Sequence, residues 1–240
     1  MGNANIEAMV DVDTVVGVDG CKGGWVAARL DCRSLTATLA VHRDFEEVLT
    51  LYRDAAVIGV DMPIGLGGCE PRACDALARR ELGRRASSIF AAPDRRLLDY
   101  TDYAQALAES RRLCGKGISK QAFYLFPKIR EIDRLMTPEL QQRVIEVHPE
   151  LCFTMLAGRP AEHRKSTREG LEERRRLLPL QWSEERLAAK PDDILDALAV
   201  AWVAYRFALG RARRLPAEPA FDERGLRMEI VTCETCSERY

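Results

Sequence analysis

Val15-Val16-Gly17-Val18-Asp19-Gly20 is almost purely apolar until it ends in a carboxylate followed by a glycine. This pattern is typical of a central strand that is covered on both faces. The last residue of such a strand lies at its carboxyl edge, where open α/β sheets place their ligands. We therefore predict that Asp19 lies at a functional edge of a sheet.

The same pattern returns in Val57-Ile58-Gly59-Val60-Asp61, and Pro63 ends that strand because proline cannot continue a central ladder. If the two strands are parallel neighbours, Asp19 and Asp61 meet at one point. Two close carboxylates repel each other unless one is protonated or a cation lies between them, so this arrangement predicts a metal site. Each aspartate alone is as consistent with capping the turn that follows it. The repetition favours a site.

The composition is that of an ordinary soluble protein, since 47% of the 240 residues are apolar and 30% are charged. No apolar run approaches the roughly 20 residues of a membrane span. The first 13 residues are polar and acidic, without the apolar core of a secretion signal. We expect a cytoplasmic protein that does not enter a membrane.

The eight cysteines show little regular spacing. In a cytoplasmic chain we expect six of them to be reduced thiols, namely Cys21, Cys32, Cys69, Cys74, Cys114 and Cys152. Cys233-Glu-Thr-Cys236 has metal-ligand spacing, but one such pair is half a zinc site, and a mobile tail is the favoured interpretation.

Charge is unevenly distributed in this chain of net charge −1, since residues 70–130 contain thirteen Lys and Arg against seven Asp and Glu. A basic segment predicts a surface that meets an anion, with a solvated helical face as the alternative. Two loops of this segment, Ser87 to Pro93 and Gly115 to Gln121, are rich in hydroxyl, amide and basic groups suited to phosphate, and the glycine turn with Lys22 also fits a phosphate. Lys22, Lys116 and Ser119 are therefore candidate substrate-binding residues.

The first strand is followed by a predicted meander. The turn Gly20 to Gly24 leads into Trp25 to Asp31, and Leu35 to His42 alternates apolar with polar residues, which is typical of a half-buried strand. Asp44-Phe-Glu-Glu47 has the form of a capping box that begins a helix. This helix carries the chain across to the strand that ends at Asp61, which makes that strand parallel to the first.

Strand signals vanish between residue 65 and about residue 142, where we predict a mostly helical insertion. They resume at Arg143 to His148, and alternation places Glu146 and His148 on one face. Ser166-Thr-Arg-Glu169 has the form of a second capping box and begins a helix that Pro179 ends.

The last strong element is a helix from Pro191 to about Leu209. Asp193 and Asp196 are three residues apart, so they share neighbouring faces of its first two turns. The helix dipole accounts for Asp193 well and for Asp196, one turn deeper and followed by Ala-Leu-Ala, less well. Residues 216–240 are predicted as a C-terminal tail with a short strand near residues 228–232.

Together, the Asp-ended first and fourth strands, the meander and the late Asp-x-x-Asp-Ala-Leu helix resemble the ribonuclease H-like fold, nearest to its RuvC-like branch. Specific motifs resemble the domain-of-unknown-function 429 family, described as predicted ribonuclease H-like nucleases. These motifs are Val18-Asp-Gly-Cys-Lys-Gly-Gly-Trp25, Asp61-Met-Pro-Ile-Gly65, Gly115-Lys-Gly-Ile-Ser119, Glu146-Val-His-Pro-Glu150 and Asp192-Asp-Ile-Leu-Asp196-Ala.

The resemblance implies one α/β domain over residues 14–215, with a mixed sheet, flanking helices and the basic insertion at about 65–142. It also implies that Asp19, Asp61, Asp193 and Asp196 are catalytic metal ligands. Glu146 lies on an additional strand, where it is a fifth catalytic carboxylate, a group that orients the others or an edge-strand residue. Lys165, ahead of the capped helix, meets a phosphate or is simply solvated.

The leading functional hypothesis is a nuclease that hydrolyses phosphodiester bonds with two Mg²⁺ or Mn²⁺ ions. Hard oxygen ligands, without a His or Cys cluster, favour these ions over zinc. The expected partner is DNA or RNA, held by the basic insertion.

Two alternatives remain open. The turn from Asp19 to Gly24 also fits a phosphotransferase or ATPase of the actin-like superfamily, although such enzymes close on nucleotide between two copies of the fold. A catalytically silent nucleic-acid-binding module that has kept the acids for structure is the other alternative.

Overall fold

A mixed β-sheet forms the centre of the molecule. The computed structural model describes residues 12–183 and 187–234. The strands in these ranges are β1 (Thr14–Cys21), β2 (Gly24–Asp31), β3 (Thr36–His42), β4 (Val57–Val60), β5 (Val144–Glu146), β6 (Gln181–Trp182), β7 (Ala212–Leu215) and β8 (Ile230–Cys233). Six of them form one sheet in the order β5-β4-β1-β2-β3-β6, and β7 pairs with β8 in a separate ribbon.

The sheet is flanked by helices. The α-helices within the described ranges are α1 (Phe45–Leu51), α2 (Ala73–Leu82), α3 (Tyr103–Cys114), α4 (Lys120–Tyr124), α5 (Phe126–Leu135), α6 (Pro149–Ala157), α7 (Arg168–Leu177) and α8 (Pro191–Ala208). The predicted helical insertion contains α2 to α5. None of these helices is both long enough and apolar enough to cross a membrane.

The predicted strand arrangement is confirmed. β1, β2 and β3 form an antiparallel meander, and β4 is parallel to β1 with Val60 opposite Val18. β5 is parallel to β4 and places Glu146 opposite Val60. The α/β class with a mixed sheet is therefore established.

Two apolar layers cover the sheet because successive strand residues point to opposite faces. Val15 packs in the layer formed by α6 and α8, whereas Val16 and Val18 pack in the layer formed by α1 and α5. The strand β1 is thus buried on both sides, as its continuous apolar run predicts. Alternation places Asp19 on the same face as Val15, toward α8.

Two glycines allow α8 to lie directly on the sheet. Gly17 and Gly59 are neighbours in the β1–β4 register. A Cβ at Gly17 would lie 2.0 Å from the backbone nitrogen of Ala201 and 2.2 Å from the carbonyl oxygen of Ala197. A side chain at Gly17 would therefore push the α8 backbone away from β1.

Helix starts follow the predicted capping pattern with one shift. Asp44 accepts a hydrogen bond from the Glu47 amide at 2.9 Å and begins α1 as predicted. In the second capping box, however, the cap is Thr167 and not Ser166, because the Thr167 hydroxyl accepts from the Gly170 amide at 3.1 Å.

The segment predicted as a C-terminal tail instead packs on the domain as far as Glu234. The Asp222 carboxylate accepts from the Leu66 amide at 3.1 Å and pairs with Arg95. β8 includes the buried Cys233, and Val231 makes a parallel bridge with Val147 of the main sheet. Cys236, the other half of the Cys-x-x-Cys pair, lies outside the described residues.

A disulfide joins Cys69 to Cys114 across 45 residues, with Cα atoms 5.0 Å apart. The prediction of reduced thiols is wrong for this pair, because tertiary folding brings together two cysteines whose spacing carries no signal. Cys21, Cys32, Cys74 and Cys152 are free, as predicted. The cytoplasmic location stays a prediction, since disulfides are more typical of oxidising compartments.

Candidate functional site

Asp19 and Asp61 converge at the carboxyl end of the β1–β4 pair. The parallel register continues past Val60, because the Asp61 amide donates to the Val18 carbonyl at 3.0 Å. One Asp19 oxygen accepts from the Gly20 amide at 2.7 Å, which fixes the carboxylate against its own turn. Adjacent parallel strands therefore bring these two acids together.

The third acid comes from α8. Because Gly17 and Gly59 let this helix lie on the sheet, Asp196 reaches the strand ends. One carboxylate oxygen from each of Asp19, Asp61 and Asp196 lies within 4.8 Å of the other two. Asp19 and Asp196 are only 6% and 3% exposed. We call these three residues the acid cluster.

Lys165 places an ammonium on the acid cluster. Its Nζ donates to Asp196 at 2.5 Å, and its side chain remains 47% exposed. Burial lowers the pKa of Lys165, but the nearby carboxylates outweigh it and the net shift is upward. Three carboxylates face one ammonium, so two negative charges remain uncompensated when all the groups are ionised.

Crowding and burial make the acid cluster hard to ionise without a cation. Burial, followed by the charges of its two partners, raises the pKa of Asp19. Burial raises the pKa of Asp61 to about 7 and that of Asp196 to about 6, although Lys165 acts to lower both. Such raised values are typical of functional carboxylates.

Asp193 lies outside the acid cluster. It is half-buried in the first turn of α8, where burial and then the charge of Asp192 raise its pKa. Its charge still raises the pKa of Asp19, although less than the other two aspartates do. Its role as a metal ligand stays a prediction.

Glu146 is held away from the acid cluster by a buried ion pair. Its two oxygens accept from the two terminal nitrogens of Arg72 at 2.7 and 2.8 Å, and one also accepts from the Ile64 amide at 2.7 Å. Arg72 in turn contacts Asp75 at 2.6 Å. Of the roles left open for Glu146, this geometry supports orientation of the loop that follows Asp61. A catalytic role for it stays untested.

The predicted substrate-binding residues are exposed but have different surroundings. Lys22 is at the tip of the β1–β2 hairpin. Lys116 donates to the Cys69 carbonyl at 3.5 Å. Ser119 caps α4 by accepting from the Ala122 amide at 3.1 Å, which is a structural role. Of the four, Lys165 is the one that contacts the acid cluster, through Asp196.

Lys128 belongs to this region, although the sequence does not single it out. It reaches from α5 to the β1–β2 hairpin, where its Nζ donates to the Gly24 carbonyl and lies 4.1 Å from the centre of the Trp25 ring. Burial lowers its pKa, while Asp19 is among the charges that oppose the shift. A lysine one turn along an amphipathic helix has no local signature, so only the fold reveals it.

The basic insertion is less free to bind anions than its charge predicts. Arg84 and Arg85 donate to backbone carbonyls of Pro160, Ala161 and His163, in the loop just before Lys165. Other arginines pair with acids: Arg72 with Glu146, Arg95 with Asp133, Arg96 with Asp94 and Arg112 with Glu109. Several arginine side chains of the insertion are thus already engaged in contacts within the protein.

Comparison with known proteins identifies a family. Residues 17–220 match the model of the family described as "Protein of unknown function (DUF429)". Neither the curated proteins nor the solved structures contain a match to the chain. The matched range includes all three residues of the acid cluster together with Lys128 and Lys165, and the chain belongs to the DUF429 family.

Proposed function

We propose that this protein is a metal-dependent nuclease of the ribonuclease H-like type, which hydrolyses phosphodiester bonds of nucleic acid. The observation that supports this most is the acid cluster, in which three carboxylates from β1, the end of β4 and α8 lie within 4.8 Å of one another. Aspartates at these three places are the features by which the sequence resembles that fold.

The donor set fits a hard divalent cation. Mg²⁺ and Mn²⁺ prefer carboxylate oxygens, which all three residues offer. The three ionised carboxylates and the Lys165 ammonium together carry two net negative charges, which one divalent ion would neutralise. Asp19, Asp61 and Asp196 would hold it, and a second ion would require Asp193 together with phosphate oxygens of the substrate.

A bound divalent ion would supply Lewis-acid stabilisation of the charge that develops on a phosphodiester and would acidify a water molecule. The chain's own residues complete the site. Lys165 is positioned to move its ammonium from Asp196 to a phosphate oxygen, since its side chain is half exposed. The Arg84 and Arg85 contacts hold the loop that carries it. Buried carboxylates exclude bulk water, which strengthens these electrostatic interactions.

The phosphotransferase alternative has less support. The described residues contain one six-stranded sheet and one two-stranded ribbon. Enzymes of the actin-like superfamily bind nucleotide between two copies of the fold. A second copy of the sheet is not seen in the ranges 12–183 and 187–234. The catalytically silent module does not explain why the protein has three clustered acids with raised pKa values.

The test is a Mn²⁺ titration by calorimetry, followed by an assay on labelled single-stranded and duplex oligonucleotides. We expect saturable binding and cleavage that both disappear in the Asp19→Asn, Asp196→Asn double variant. A matched control is Asp192→Asn, on the same helix but outside the acid cluster. Absence of Mn²⁺ binding would favour the silent module, and a requirement for ATP would favour the phosphotransferase.

A further inference from the structure

We propose that Tyr124 is a base-stacking residue, and that the substrate of the proposed nuclease is therefore single-stranded nucleic acid. This inference rests on the proposed function and names its substrate class. It is carried by the exposure of the Tyr124 ring, by the aromatic residues beside it and by its position four residues before Lys128.

Tyr124 exposes its ring to an unusual extent. Its exposed fraction is 71%, the highest of the three large apolar side chains found exposed in the described part of the chain, the others being Phe221 at 62% and Leu51 at 53%. An exposed aromatic ring on a folded surface forgoes the stabilisation of burial. Such a ring is available to stack on a ligand.

The ring is supported from below by other aromatic side chains. The Phe123 ring lies 6.1 Å from Tyr124, 5.6 Å from Tyr103 and 5.3 Å from Phe126, measured between ring centres. Phe126 is almost fully buried, and Phe123 packs against the same apolar layer. Tyr124 is thus the exposed end of a row of rings that Phe126 anchors in the core.

Cations accompany this row of rings. Lys120 lies over the Tyr103 ring, 5.8 Å from its centre, and it is exposed, as is Lys116 in the preceding loop. Alternation of aromatic faces with lysines is typical of surfaces that bind single strands, because the bases stack while the lysines contact the phosphates. An apolar protein partner would not account for the cations.

Lys128 links the neighbourhood of Tyr124 to the strand end that carries Asp19. Tyr124 is the last residue of α4, and Lys128 lies in the first turn of α5, with Leu125 alone between the two helices. The Lys128 stem packs so closely on the β1–β2 hairpin that a Cβ at Gly20 would lie 2.6 Å from it. Gly20 and Asp19 are consecutive at the end of β1 and face opposite sides of the sheet, so a strand stacked on Tyr124 would pass around this strand end to reach the acid cluster.

Stacking requires an unpaired base, because the faces of bases inside a duplex are already covered. Phosphate contacts alone would bind single and double strands alike. The exposed ring therefore selects the single strand, whether it is DNA or RNA.

The experiment measures binding by fluorescence anisotropy with the full chain carrying Asp19→Asn, with and without Mn²⁺, so that the strand is bound and not cut. The probes are labelled oligo(dT) and oligo(rU) of about 12 nucleotides, a strand of the same length without bases, and a duplex. In this background Tyr124→Ala is expected to weaken binding of both base-containing strands roughly 5- to 150-fold. Tyr124→Phe should retain it. Neither change should affect the strand without bases.

Two further variants control for local disruption. Tyr124→Leu keeps an apolar contact with Phe123 but removes the ring, so it should behave like Tyr124→Ala. Phe221→Ala removes a ring elsewhere that is 62% exposed and should leave binding unchanged. Melting curves confirm that each variant is folded.

The outcomes separate this inference from the function on which it rests. Equal affinity of Tyr124→Ala and its parent, or an equal loss on the strand without bases, would overturn the stacking role while leaving a metal-dependent nuclease intact. Tighter binding of duplex than of single strands would overturn the substrate class. Absence of binding to every nucleic acid, with Mn²⁺ present, would overturn both proposals together.

Discussion

At the scale of single residues, three aspartates form the acid cluster. The prediction that Asp19 and Asp61 converge follows from two strands that read alike, and it is confirmed. Asp196 belongs to the same cluster, as its depth in α8 predicts. Lys128 is different, because its proximity to Asp19 depends on how the insertion folds back over the hairpin. A long-range contact of this kind leaves no periodic signal in the sequence.

Replacing Asp196 with Asn separates a metal ligand from a residue that serves the helix dipole. If Asp196 is a metal ligand, the Asn variant relieves repulsion in the metal-free acid cluster. Its melting temperature should then hold steady or rise, while the shift produced by Mn²⁺ shrinks. If Asp196 only interacts with the helix dipole, the change would lower the free energy of unfolding by roughly 0.3 to 1 kcal/mol and leave the Mn²⁺ shift unchanged. Asp192→Asn is the matched control. Melting curves with and without Mn²⁺ distinguish the two results.

Stability of the metal-free protein should fall as the pH rises toward neutrality. Burial raises the pKa of Asp61 to about 7 and that of Asp196 to about 6, whereas unfolded aspartates titrate near 4. Between these values the folded state binds more protons than the unfolded state, so the free energy of unfolding decreases with increasing pH. The stabilisation is complete below about pH 4 and is lost as the pH rises through the raised values.

Urea unfolding in EDTA at several pH values measures this effect. The decline between about pH 5 and pH 7 should be shallower in Asp61→Asn than in the wild type, because one raised group is gone. Saturating Mn²⁺ should reduce the decline in the wild type. Equal slopes in the two proteins would show that Asp61 titrates normally.

At the scale of elements, the strands and the long helices could be predicted because their periodicity is strong. α6 is the clearest omission, since residues 149–157 are buried on nearly all sides and so lack a polar face. The capping-box pattern predicts Ser166 as the cap of α7, one residue before the actual cap Thr167, because Ser and Thr are both good caps. β6, with two residues, is too short to carry a pattern.

Gly17→Ala should disturb the site by moving a whole helix. The added Cβ would lie 2.0 Å from a backbone atom of α8, which cannot yield as a side chain does. We expect a loss of at least about 3 kcal/mol, or a shifted α8 that carries Asp196 away and abolishes Mn²⁺ binding. In Gly59→Ala the nearest atom, at 2.7 Å, is a methyl carbon of Val200, so the loss should be smaller. Urea unfolding and Mn²⁺ calorimetry measure the two effects. Equal tolerance of both changes would contradict close packing of α8 on β1.

The buried pair between Arg72 and Glu146 should matter for folding more than for metal binding. Arg72→Met leaves Glu146 and Asp75 buried without their partner, which should destabilise the protein by about 3 to 5 kcal/mol. Arg176→Met is the surface control, because that side chain is 74% exposed and its partner Glu172 is 51% exposed, and it should cost at most about 1 kcal/mol. Urea unfolding compares the two.

Glu146→Gln then tests the role of the acid directly. Because Arg72 keeps Asp75 as a partner, the variant should fold, and the Mn²⁺-induced rise in melting temperature should match that of the wild type. Loss of this rise would place Glu146 among the metal ligands and contradict its assignment to the buried pair.

At the scale of the whole molecule, the insertion is fastened to the sheet at several points. Glu131 of α5 accepts from the Trp25 indole at 3.1 Å, Arg72 holds β5, and Arg84 with Arg85 holds the loop before Lys165. The loss of strand signals between residues 65 and 142 predicts the insertion but not these contacts, because each joins residues far apart in sequence. Sheet and insertion therefore build the candidate site together.

The Cys69–Cys114 bond gives the chain a closed covalent circuit with α2 and α3 inside it. A protease that cuts once between the two cysteines opens the circuit without releasing a fragment. On a denaturing gel the nicked protein should keep its full mass until a reductant is added, and then resolve into two pieces. Cys114→Ser should release the pieces without reductant. In the wild type with the disulfide formed, one cut within this circuit therefore leaves the two pieces of the chain covalently joined.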